Sequence, residues 1–531
     1  MKTYSAPKDF RRAPWRLVLL AISLCLICAH AFGEGPQTDS KLRRIKHIVV
    51  IYQENWSFDS LYGLFPGANG LAQSSAKSLN QTDRFDQPLS AQTGQPFSLV
   101  SGSLTLTTPP QPINAGKIDT RFTAGLNTLL PYDVLKNSTL QPNDTTGDLV
   151  HRYWHEQSQI DGGAMDWFVT WSDNPGLTMS YFDATNMPEG LLAQKYTIAD
   201  NFFHAAFGGS FLNHQFLIAA AAPVYPNAPA GMQAVLDTDG QLLVDATGKI
   251  VHDGNITPIG GTSFTVPGAT FDKNYAVNTI FSANLVPTFS AVNAALLPSL
   301  NDSDPSDPIR PFTPTIGDRL SAKKISWKWY SGGWDNALAS TVSNPANNGV
   351  VPPNAPVDPL FQWHHQPFAY YDNYAPFKNG VRNPVSAAHL QDENNFFQDL
   401  KNERLPKVGF IKALGPDNEH PGYAGLLRGQ QHVADLVSAV KHSDYWEDTL
   451  IIVTYDEHGG RWDHVTPPVN GIWGDGSRVP GIIIGPFAKR RFVDHTQYDT
   501  LSILKTIEER FGLEPLSALD AQATSLKNSL R

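Results

Sequence analysis

Residues 45–59 of the 531-residue chain read IKHIVVIYQENWSFD. The run from Ile45 to Tyr52 is apolar at successive positions and rich in β-branched side chains, which is typical of a strand buried on both faces of a parallel sheet. Two further runs, Leu450 to Tyr455 and Gly481 to Ile484, repeat this pattern, and Val408 to Ile411 is a weaker example. These four runs predict the strands of a mostly parallel sheet.

Helical patterns lie between or after these runs. The first has apolar side chains at helical spacing, namely Val433, Leu436, Val437 and Val440. The second has an N-cap candidate in Asp499, a stop signal in Gly512, and an apolar face formed by Leu504, Ile507 and Phe511. Strands that alternate with helices predict an α/β sandwich.

Two stretches, near residues 66–143 and 223–311, are rich in Gly, Pro, Asn, Ser and Thr and lack helical periodicity. We interpret them as long insertions, with small hairpins, into a single catalytic domain of residues 32–531. A second independent domain is the alternative. Insertions are favoured because the chemical motifs described below lie on both sides of these stretches and must meet in one site.

The first 31 residues have the order of a secretory leader. Five basic side chains precede an uncharged stretch from Leu17 to Ala29, and the small residues Ala29 and Ala31 then form a cleavage site. The uncharged stretch falls short of the roughly 20 residues that span a bilayer. The sequence therefore predicts export to the periplasm or the medium, by a route left open.

Composition excludes several classes of protein. The chain has only two cysteines, Cys25 and Cys28, and both lie in the predicted leader, so a thiol nucleophile or a zinc–cysteine site is excluded after cleavage. The formal net charge is −10, and the leader itself is basic, so the rest of the chain is more acidic still. An acidic body repels nucleic acids and anionic membranes. We predict no nucleic-acid partner and no stable membrane anchoring, and leave the oligomeric state open.

Polar side chains follow two of the predicted strands directly. Glu54 and Asn55 come after the first strand, and Asp456 and Glu457 come after the strand at Leu450 to Tyr455. The carboxyl ends of parallel strands meet at one edge of a sheet, where ligands bind. Adjacent carboxylates repel each other unless a cation or a proton lies between them. We therefore predict a shared metal site, although for Glu54 and Asn55 alone a loop that caps the next turn is the alternative.

Residues 207–218 read FGGSFLNHQFLI, a glycine turn that enters a helix with Ser210 at or near its N-cap. Capping alone is one interpretation of this serine. The functional interpretation is that the helix N-terminus attracts a phosphate while a metal deprotonates the hydroxyl group. The glycines do not form the Gly-x-Ser-x-Gly turn of α/β-hydrolases, which argues against a lipase-type triad.

Histidines cluster in three places. They are His151 and His155, the pair His364 and His365, and His420. A single histidine is more often structural than catalytic, but His420 follows a predicted strand and so is expected near the same edge of the sheet. Transfer of a phosphoryl group needs a proton for the departing oxygen, which histidine can supply.

Together these segments resemble the bacterial phosphoesterase family that contains phospholipases C and related acid phosphatases. The resemblance runs from Ile45 to about Phe487, and its markers are ENWSFD at residues 54–59, GGS at 208–210 and DEHGGRWDHV at 456–465. The family is related by fold to alkaline phosphatases and sulfatases. The resemblance therefore implies an alkaline-phosphatase-like α/β/α sandwich.

The resemblance also implies roles for individual residues. It assigns the nucleophile to Ser210 and the metal ligands to Glu54, Asn55, Asp456 and Glu457. It assigns phosphate binding or leaving-group protonation to His364, His365, His420 and His155. An oxygen-rich ligand set favours Mg²⁺, Ca²⁺ or Mn²⁺, and the histidines also admit Zn²⁺.

The segment at Ser210 indicates the branch of the family. Phospholipases C tend to have a Pro-Thr nucleophile segment that ends in Asn-Arg, whereas this chain has Gly-Ser-Phe-Leu-Asn-His and resembles the acid phosphatases. We therefore predict a metal-dependent acid phosphatase that acts on phosphate monoesters through a phosphoserine. The alternatives are a phospholipase C, a sulfatase with a modified serine, and an exported phosphate-binding protein without turnover.

Overall fold

The computed structural model describes residues 39–90, 118–225, 314–350 and 358–531, together with shorter pieces between residues 228 and 300 and the single residues Leu99 and Asn354. The leader predicted for residues 1–31 lies outside the described residues, as do parts of both predicted insertions. No helix in the described ranges is long and apolar enough to cross a membrane.

An eight-stranded sheet forms the centre of the molecule. In chain order its strands are β1 (His47–Gln53), β2 (Thr197–Ala199), β3 (Trp327–Ser331), β4 (Leu390–Asp392), β5 (Val408–Lys412), β6 (Thr449–Tyr455), β7 (Gly481–Ile484) and β8 (Phe492–Asp494). Across the sheet their order is β4-β3-β5-β1-β6-β7-β2-β8. Only β7 runs antiparallel to its neighbours, so the predicted mostly parallel sheet is confirmed.

The four strands that the sequence predicts are β1, β5, β6 and β7, and they lie side by side in the middle of the sheet. Every residue of β5, β6 and β7 is buried. Central strands are covered on both faces, and this burial produces the continuous apolar runs. The four strands without such a prediction lie at the two edges.

Helices cover both faces of this sheet. In chain order the described helices are α1 (Ser40–Arg43), α2 (Phe58–Tyr62), α3 (Ala76–Leu79), α4 (Tyr153–Ile160), α5 (Pro188–Lys195), α6 (Ser210–Ala219), α7 (Ile316–Ala322), α8 (Trp334–Ser340), α9 (Pro384–His389), α10 (Asn394–Lys401), α11 (Leu426–Lys441), α12 (Thr500–Phe511) and α13 (Ala518–Gln522).

Two neighbouring residues of β3 show how the layers are arranged. Trp329 contacts His214 of α6 at a ring distance of 6.2 Å, whereas Tyr330 contacts Phe396 of α10 at 5.5 Å. Successive side chains of a strand point to opposite faces of the sheet. Helices α6 and α10 therefore lie on opposite faces, which makes the fold the predicted α/β/α sandwich.

Both predicted helices are present. The four apolar residues predicted for the first helix lie in α11 and are at most 2% exposed. For the second helix, α12, the Asp499 side chain accepts a hydrogen bond from Ser502 N at the N-terminus, and Gly512 ends the helix with a φ of +64°. Helix α12 packs against α6 and so supports the helix that begins at Ser210.

A buried ion-pair cluster joins the loops that follow β1 and β6. Arg478 Nε lies 2.8 Å from Asp463 Oδ1, and Arg478 Nη2 lies 3.1 Å from Asp59 Oδ1. His464 Nδ1 lies 2.6 Å from Asp59 Oδ2. A guanidinium that is fully buried needs such paired carboxylates. The last residues of the motifs at 54–59 and 456–465 thus form ion pairs that stabilise the loops after β1 and β6.

The described parts of the predicted insertions contain only short elements, and one of them approaches the core. Asn278 Oδ1 accepts a hydrogen bond from Tyr153 N at 3.0 Å, and Asn278 Nδ2 donates to Gly254 O at 2.8 Å. The second insertion therefore packs on the start of α4. The division into one domain with insertions stays a prediction.

Replacing Glu508 of α12 by glutamine is expected to stabilise the protein near neutral pH. Glu508 is 3% exposed, and burial together with the neighbouring Asp520 raises the pKa of Glu508 to about 9. A carboxyl whose pKa is higher in the folded than in the unfolded protein contributes to stability below the unfolded-state pKa. This contribution to the free energy of unfolding is lost as pH rises toward the folded-state pKa. We expect Glu508→Gln to add on the order of 2 kcal/mol near pH 7 and little at pH 4.

Urea denaturation at several pH values measures this gain. The matched control is Glu509→Gln, one residue further along the same helix, because the Glu509 carboxylate accepts a hydrogen bond from Ser525 Oγ at 2.7 Å. The control should show no gain that grows with pH. An equal effect of Glu508→Gln at pH 4 and pH 7 would contradict the prediction.

Candidate active site

A cavity of about 420 Å³ opens at the carboxyl edge of the sheet. The side chains at its base come from the ends of strands, from the start of α6 and from loops. They include Glu54, His151, Ser210, His364, His365 and His420. Segments that lie far apart in the sequence thus meet in one place, as predicted for the strand ends.

The turn before α6 presents Ser210 to this cavity. Gly208 has a φ of +90°, and a Cβ at this position would come within 2.4 Å of Tyr153 N, so the tight approach requires glycine. Gly209 is the N-cap residue, and Ser210 is the first residue of the helix. No side chain caps this helix end. The capping interpretation of Ser210 is therefore wrong.

Ser210 lies against the carboxylate that ends β6. Ser210 is close enough to Asp456 to act to lower the pKa of that carboxyl, whose Oδ2 is buried without a hydrogen-bond partner. Asp456 Oδ1 also accepts backbone hydrogen bonds from Asn55 N at 3.2 Å and from Glu457 N at 2.9 Å. The residues predicted at the ends of the two strands are therefore in direct contact, and Ser210 at the start of α6 lies close to them.

Hydrogen bonding fixes the orientation of the Asn55 amide. His151 Nδ1 lies 2.6 Å from Leu149 O, and His420 Nδ1 lies 2.5 Å from Pro421 O. A carbonyl oxygen only accepts, so both Nδ1 atoms carry hydrogen and both Nε2 atoms are acceptors in the neutral rings. Asn55 Nδ2 lies 3.3 Å and 3.0 Å from these two Nε2 atoms. The amide thus donates on both sides.

This orientation leaves Asn55 Oδ1 buried without a hydrogen-bond partner, and Glu457 Oε1 is in the same condition. Unpaired buried oxygens are costly and call for a missing partner. Burial, followed by repulsion from Glu54, raises the pKa of Asp456 to about 7. Burial and the nearby Asp456 raise the pKa of Glu457 well above its usual value. A divalent cation would satisfy these oxygens. Glu54 has donor atoms within 4.8 Å of those of His214 and His365, whereas Glu54, Asp456 and Glu457 do not form such a group among the described residues, so the four-ligand site stays a prediction.

Lys412, the last residue of β5, pairs with Glu54. Lys412 Nζ and His365 Nε2 lie 2.5 Å and 2.7 Å from Glu54 Oε1. Burial lowers the pKa of His365 to about 4 although Glu54 acts to raise it, so this ring is neutral near pH 7. The positive charge that balances the Glu54 carboxylate is therefore that of Lys412. The second oxygen, Glu54 Oε2, is left to bind a cation.

His364 lines the cavity, and its Nδ1 is buried without a hydrogen-bond partner. The next residue, His365, stacks on His214 with ring centres 5.1 Å apart. His214 Nδ1 in turn lies 2.7 Å from Ser210 O, at the first turn of α6. An anionic group that entered the cavity would meet a helix N-terminus, the Ser210 hydroxyl and the His364 ring.

His155, predicted from the resemblance, does not line this cavity. It lies in α4, is fully buried, and its Nδ1 is 3.6 Å from Asp253 Oδ2. His151, one helical turn earlier, takes the position at the cavity instead. The two histidines are four residues apart, and the chain turns into α4 between them, so only the earlier one reaches the site.

Three residues of the site, namely His151, His214 and Lys412, had no role predicted from the sequence. His151 was named with His155 as a histidine cluster. Its position before α4, where His155 lies within the helix, is the signal that could have identified it as the residue at the cavity. Lys412 directly follows the apolar run of β5, but no local pattern tells a buried lysine from an exposed one. His214 lies on the face of α6 that meets the sheet.

Comparisons with known proteins give two kinds of result. The sequence model described as "Phosphoesterase family" matches residues 45–514. Phospholipase C B of Mycobacterium tuberculosis is 25% identical over 520 residues, which cover 92% of this chain and 77% of that protein. The non-hemolytic phospholipase C of Pseudomonas aeruginosa is 25% identical over 250 residues, or 40% and 32% of the two chains. A solved protein of the alkaline phosphatase superfamily from Vibrio parahaemolyticus is 10% identical, with a TM-score of 0.28 over 71% of this chain and 70% of that one.

Proposed function

The chain belongs to the Phosphoesterase family and is a phosphoric ester hydrolase, and from this premise we propose that it hydrolyses phosphate monoesters through a phosphoserine intermediate at Ser210. The position of Ser210 in the lining of a cavity rich in histidine, close to Asp456, is the observation that supports this proposal best.

In the first step Ser210 Oγ attacks the phosphorus in line with the ester oxygen. The new Oγ–P bond forms as the O–H bond of the serine and the P–O bond to the alcohol break, so the proton lost from Oγ balances the proton that the departing alcohol gains. Ser210 begins α6, so the free backbone N–H groups of that helix end attract the phosphoryl oxygens. Water then attacks the phosphoserine and releases phosphate and the free hydroxyl group.

Glu54, Asn55, Asp456 and Glu457 would hold a divalent cation. When bound, such an ion supplies charge neutralisation for the phosphoryl group and lowers the pKa of the hydroxyl that it touches. The oxygen ligands favour Mg²⁺, Ca²⁺ or Mn²⁺. Zn²⁺ is the alternative, because donor atoms of Glu54, His214 and His365 lie within 4.8 Å of one another.

His364 is the group that would protonate the departing alcohol, because its ring lines the cavity while His151 and His420 accept hydrogen bonds from Asn55. We expect His364→Asn to lower kcat about 100-fold on an alkyl phosphate, whose leaving group needs a proton. The loss should be much smaller on 4-nitrophenyl phosphate, because nitrophenolate leaves unprotonated. Steady-state kinetics with both substrates measures this difference.

The matched control is His442→Asn, because His442 is exposed at the C-terminal end of α11. This variant should retain both activities. Burial lowers the pKa of His364, so its protonated form is favoured by acid, and activity on the alkyl phosphate should fade as pH rises. Equal losses on both substrates would contradict a role for His364 in protonating the leaving group.

A phospholipase C is the second candidate, because the relatives reported above carry that name. Both activities use the same core and differ in the group beyond the phosphorus. The test measures phosphate release from a phosphomonoester and diacylglycerol release from phosphatidylcholine by the same purified protein. We expect the monoester to be hydrolysed with the higher kcat/KM, and the opposite order would favour the phospholipase.

We also propose that the protein acts after export, in the periplasm or the medium. The support is the order of basic, apolar and small residues in the first 31 positions. Sequencing the N-terminus of the protein recovered outside the cytoplasm tests this, because cleavage is expected directly after Ala31.

A further inference from the structure

A second group of metal-binding side chains lies outside the cavity. Glu156 of α4, His204 and His458 are all fully buried, and none of them lines the cavity at Ser210. We call these three residues the buried triad. Their nearest donor atoms lie within 4.8 Å of one another. Sequence analysis assigned no role to any of them.

The hydrogen bonds of the two imidazoles point their free nitrogens at one atom. His204 Nδ1 lies 2.8 Å from Ala206 O, and His458 Nδ1 lies 3.1 Å from Arg461 O. Each Nδ1 therefore carries the ring hydrogen of the neutral form, and each Nε2 has a lone pair. The two Nε2 atoms lie 2.9 Å and 3.4 Å from Glu156 Oε1.

Three acceptor atoms that face one another in a buried place repel unless a positive charge lies between them. A proton on His204 Nε2 would turn that nitrogen into a hydrogen-bond donor to Glu156 Oε1. His458 Nε2 would still be buried without a hydrogen-bond partner. A single cation would satisfy both nitrogens and the carboxylate oxygen together.

The surroundings hold the triad in this arrangement. The two rings are parallel within 8°, with centres 5.4 Å apart. A Cβ at Gly476 would come within 2.1 Å of the His204 ring, so the close packing there prevents the ring from turning. Metal-bound histidines usually donate their second ring N–H to a backbone carbonyl, as both of these do.

We propose that Glu156, His204 and His458 bind a divalent transition-metal ion of the zinc type in a second, buried site. Two imidazole nitrogens and one carboxylate oxygen are donors that zinc prefers in proteins. The hydroxyl of Ser477 is buried, and no hydrogen-bond partner satisfies its Oγ. Its backbone N–H donates to Glu156 Oε1 at 2.8 Å, so this hydroxyl offers a nearby fourth donor.

Such an ion would join the two halves of the active site. Glu156 Oε2 accepts a hydrogen bond from Gly208 N at 2.6 Å, two residues before Ser210. His458 lies two residues after Asp456. The buried ion would therefore hold the turn of the nucleophile against the end of β6. It would act as a structural ion, because the triad does not reach the substrate cavity.

The test is the zinc content of the purified protein, measured by mass spectrometry after dialysis against a chelator under native conditions. His458→Asn is the diagnostic variant, because the asparagine amide can replace Nδ1 at Arg461 O but provides no equivalent of Nε2. The matched variant is Asp456→Asn, which removes a predicted ligand of the cavity and leaves the buried triad intact. We expect about one zinc ion per chain in the wild type and in Asp456→Asn, and almost none in His458→Asn.

A wild type without zinc after dialysis would overturn the proposal, as would a His458→Asn variant with unchanged zinc. If His458→Asn fails to fold, cobalt substitution in Asp456→Asn decides the question. Tetrahedral Co²⁺ bound by nitrogen and oxygen should then give strong visible absorption bands, and their absence would exclude the site. None of these readouts is turnover, so the outcome is independent of the phosphoserine proposal.

Discussion

Ser210→Ala is expected to lower turnover of a phosphomonoester by about 10⁴-fold or more, because the covalent intermediate forms on the hydroxyl that this change removes. Ser210 lies at the floor of the cavity and is the first residue of α6, so alanine should leave the helix intact. Substrate binding should change far less than kcat. The measurement is steady-state hydrolysis of 4-nitrophenyl phosphate.

Trapping the intermediate gives this prediction a second readout. Radiolabelled phosphate captured on the protein at low pH should map to Ser210 and disappear in the Ser210→Ala variant. The matched control is Ser386→Ala, since Ser386 is fully buried and its Oγ has no hydrogen-bond partner, so its loss removes no interaction. Substantial turnover in Ser210→Ala would show that the hydrolysis does not pass through this serine.

Removal of the divalent cation is expected to have the second largest effect, a loss of about 10³-fold or more in kcat. Without it, buried Asp456 and Glu457 have raised pKa values, and Asn55 Oδ1 lacks a partner. Asp456→Asn should produce a similar loss, because Asp456 is a predicted ligand and lies close to Ser210. The measurement is kcat after chelation, followed by titration with Mg²⁺, Ca²⁺, Mn²⁺ or Zn²⁺.

The control for this experiment is Asp417→Asn. Asp417 pairs with Arg428 on the surface at 2.7 Å, and such exposed pairs contribute little. It should keep full turnover and an unchanged response to the cation. Full activity of Asp456→Asn, or hydrolysis that survives complete removal of divalent ions, would refute the metal-dependent scheme.

Agreement between sequence and structure is best where burial is uniform. The four predicted strands form the middle of the sheet, while β3 and β4 at one edge and β2 and β8 at the other were not predicted. β3 places Lys328 among aromatic residues, and β2 has only three residues, so neither shows a continuous apolar run. Edge strands need fewer apolar side chains, so the continuous apolar run that identifies a strand in the sequence is weaker there.

At the site, the sequence predicted which segments meet but not every side chain that completes them. Glu54, Asn55, Asp456 and Ser210 were predicted because each directly follows a strand or a glycine turn. Lys412 was not, because only the folded chain shows that its ammonium group lies 2.5 Å from Glu54 instead of in water. The buried triad was also invisible, since its three residues come from a helix and two separate loops.

The amino-acid sequence by itself determined the α/β class, the central strands, two helices and the chemical character of the strand ends. These properties follow from neighbouring residues, because a strand covered on both faces must be apolar at every position. Only the tertiary structure decided that His151 instead of His155 reaches the cavity, that Lys412 balances Glu54, and that two imidazoles converge on Glu156. Such contacts join residues distant in the chain, and they depend on how helices and loops pack on the sheet.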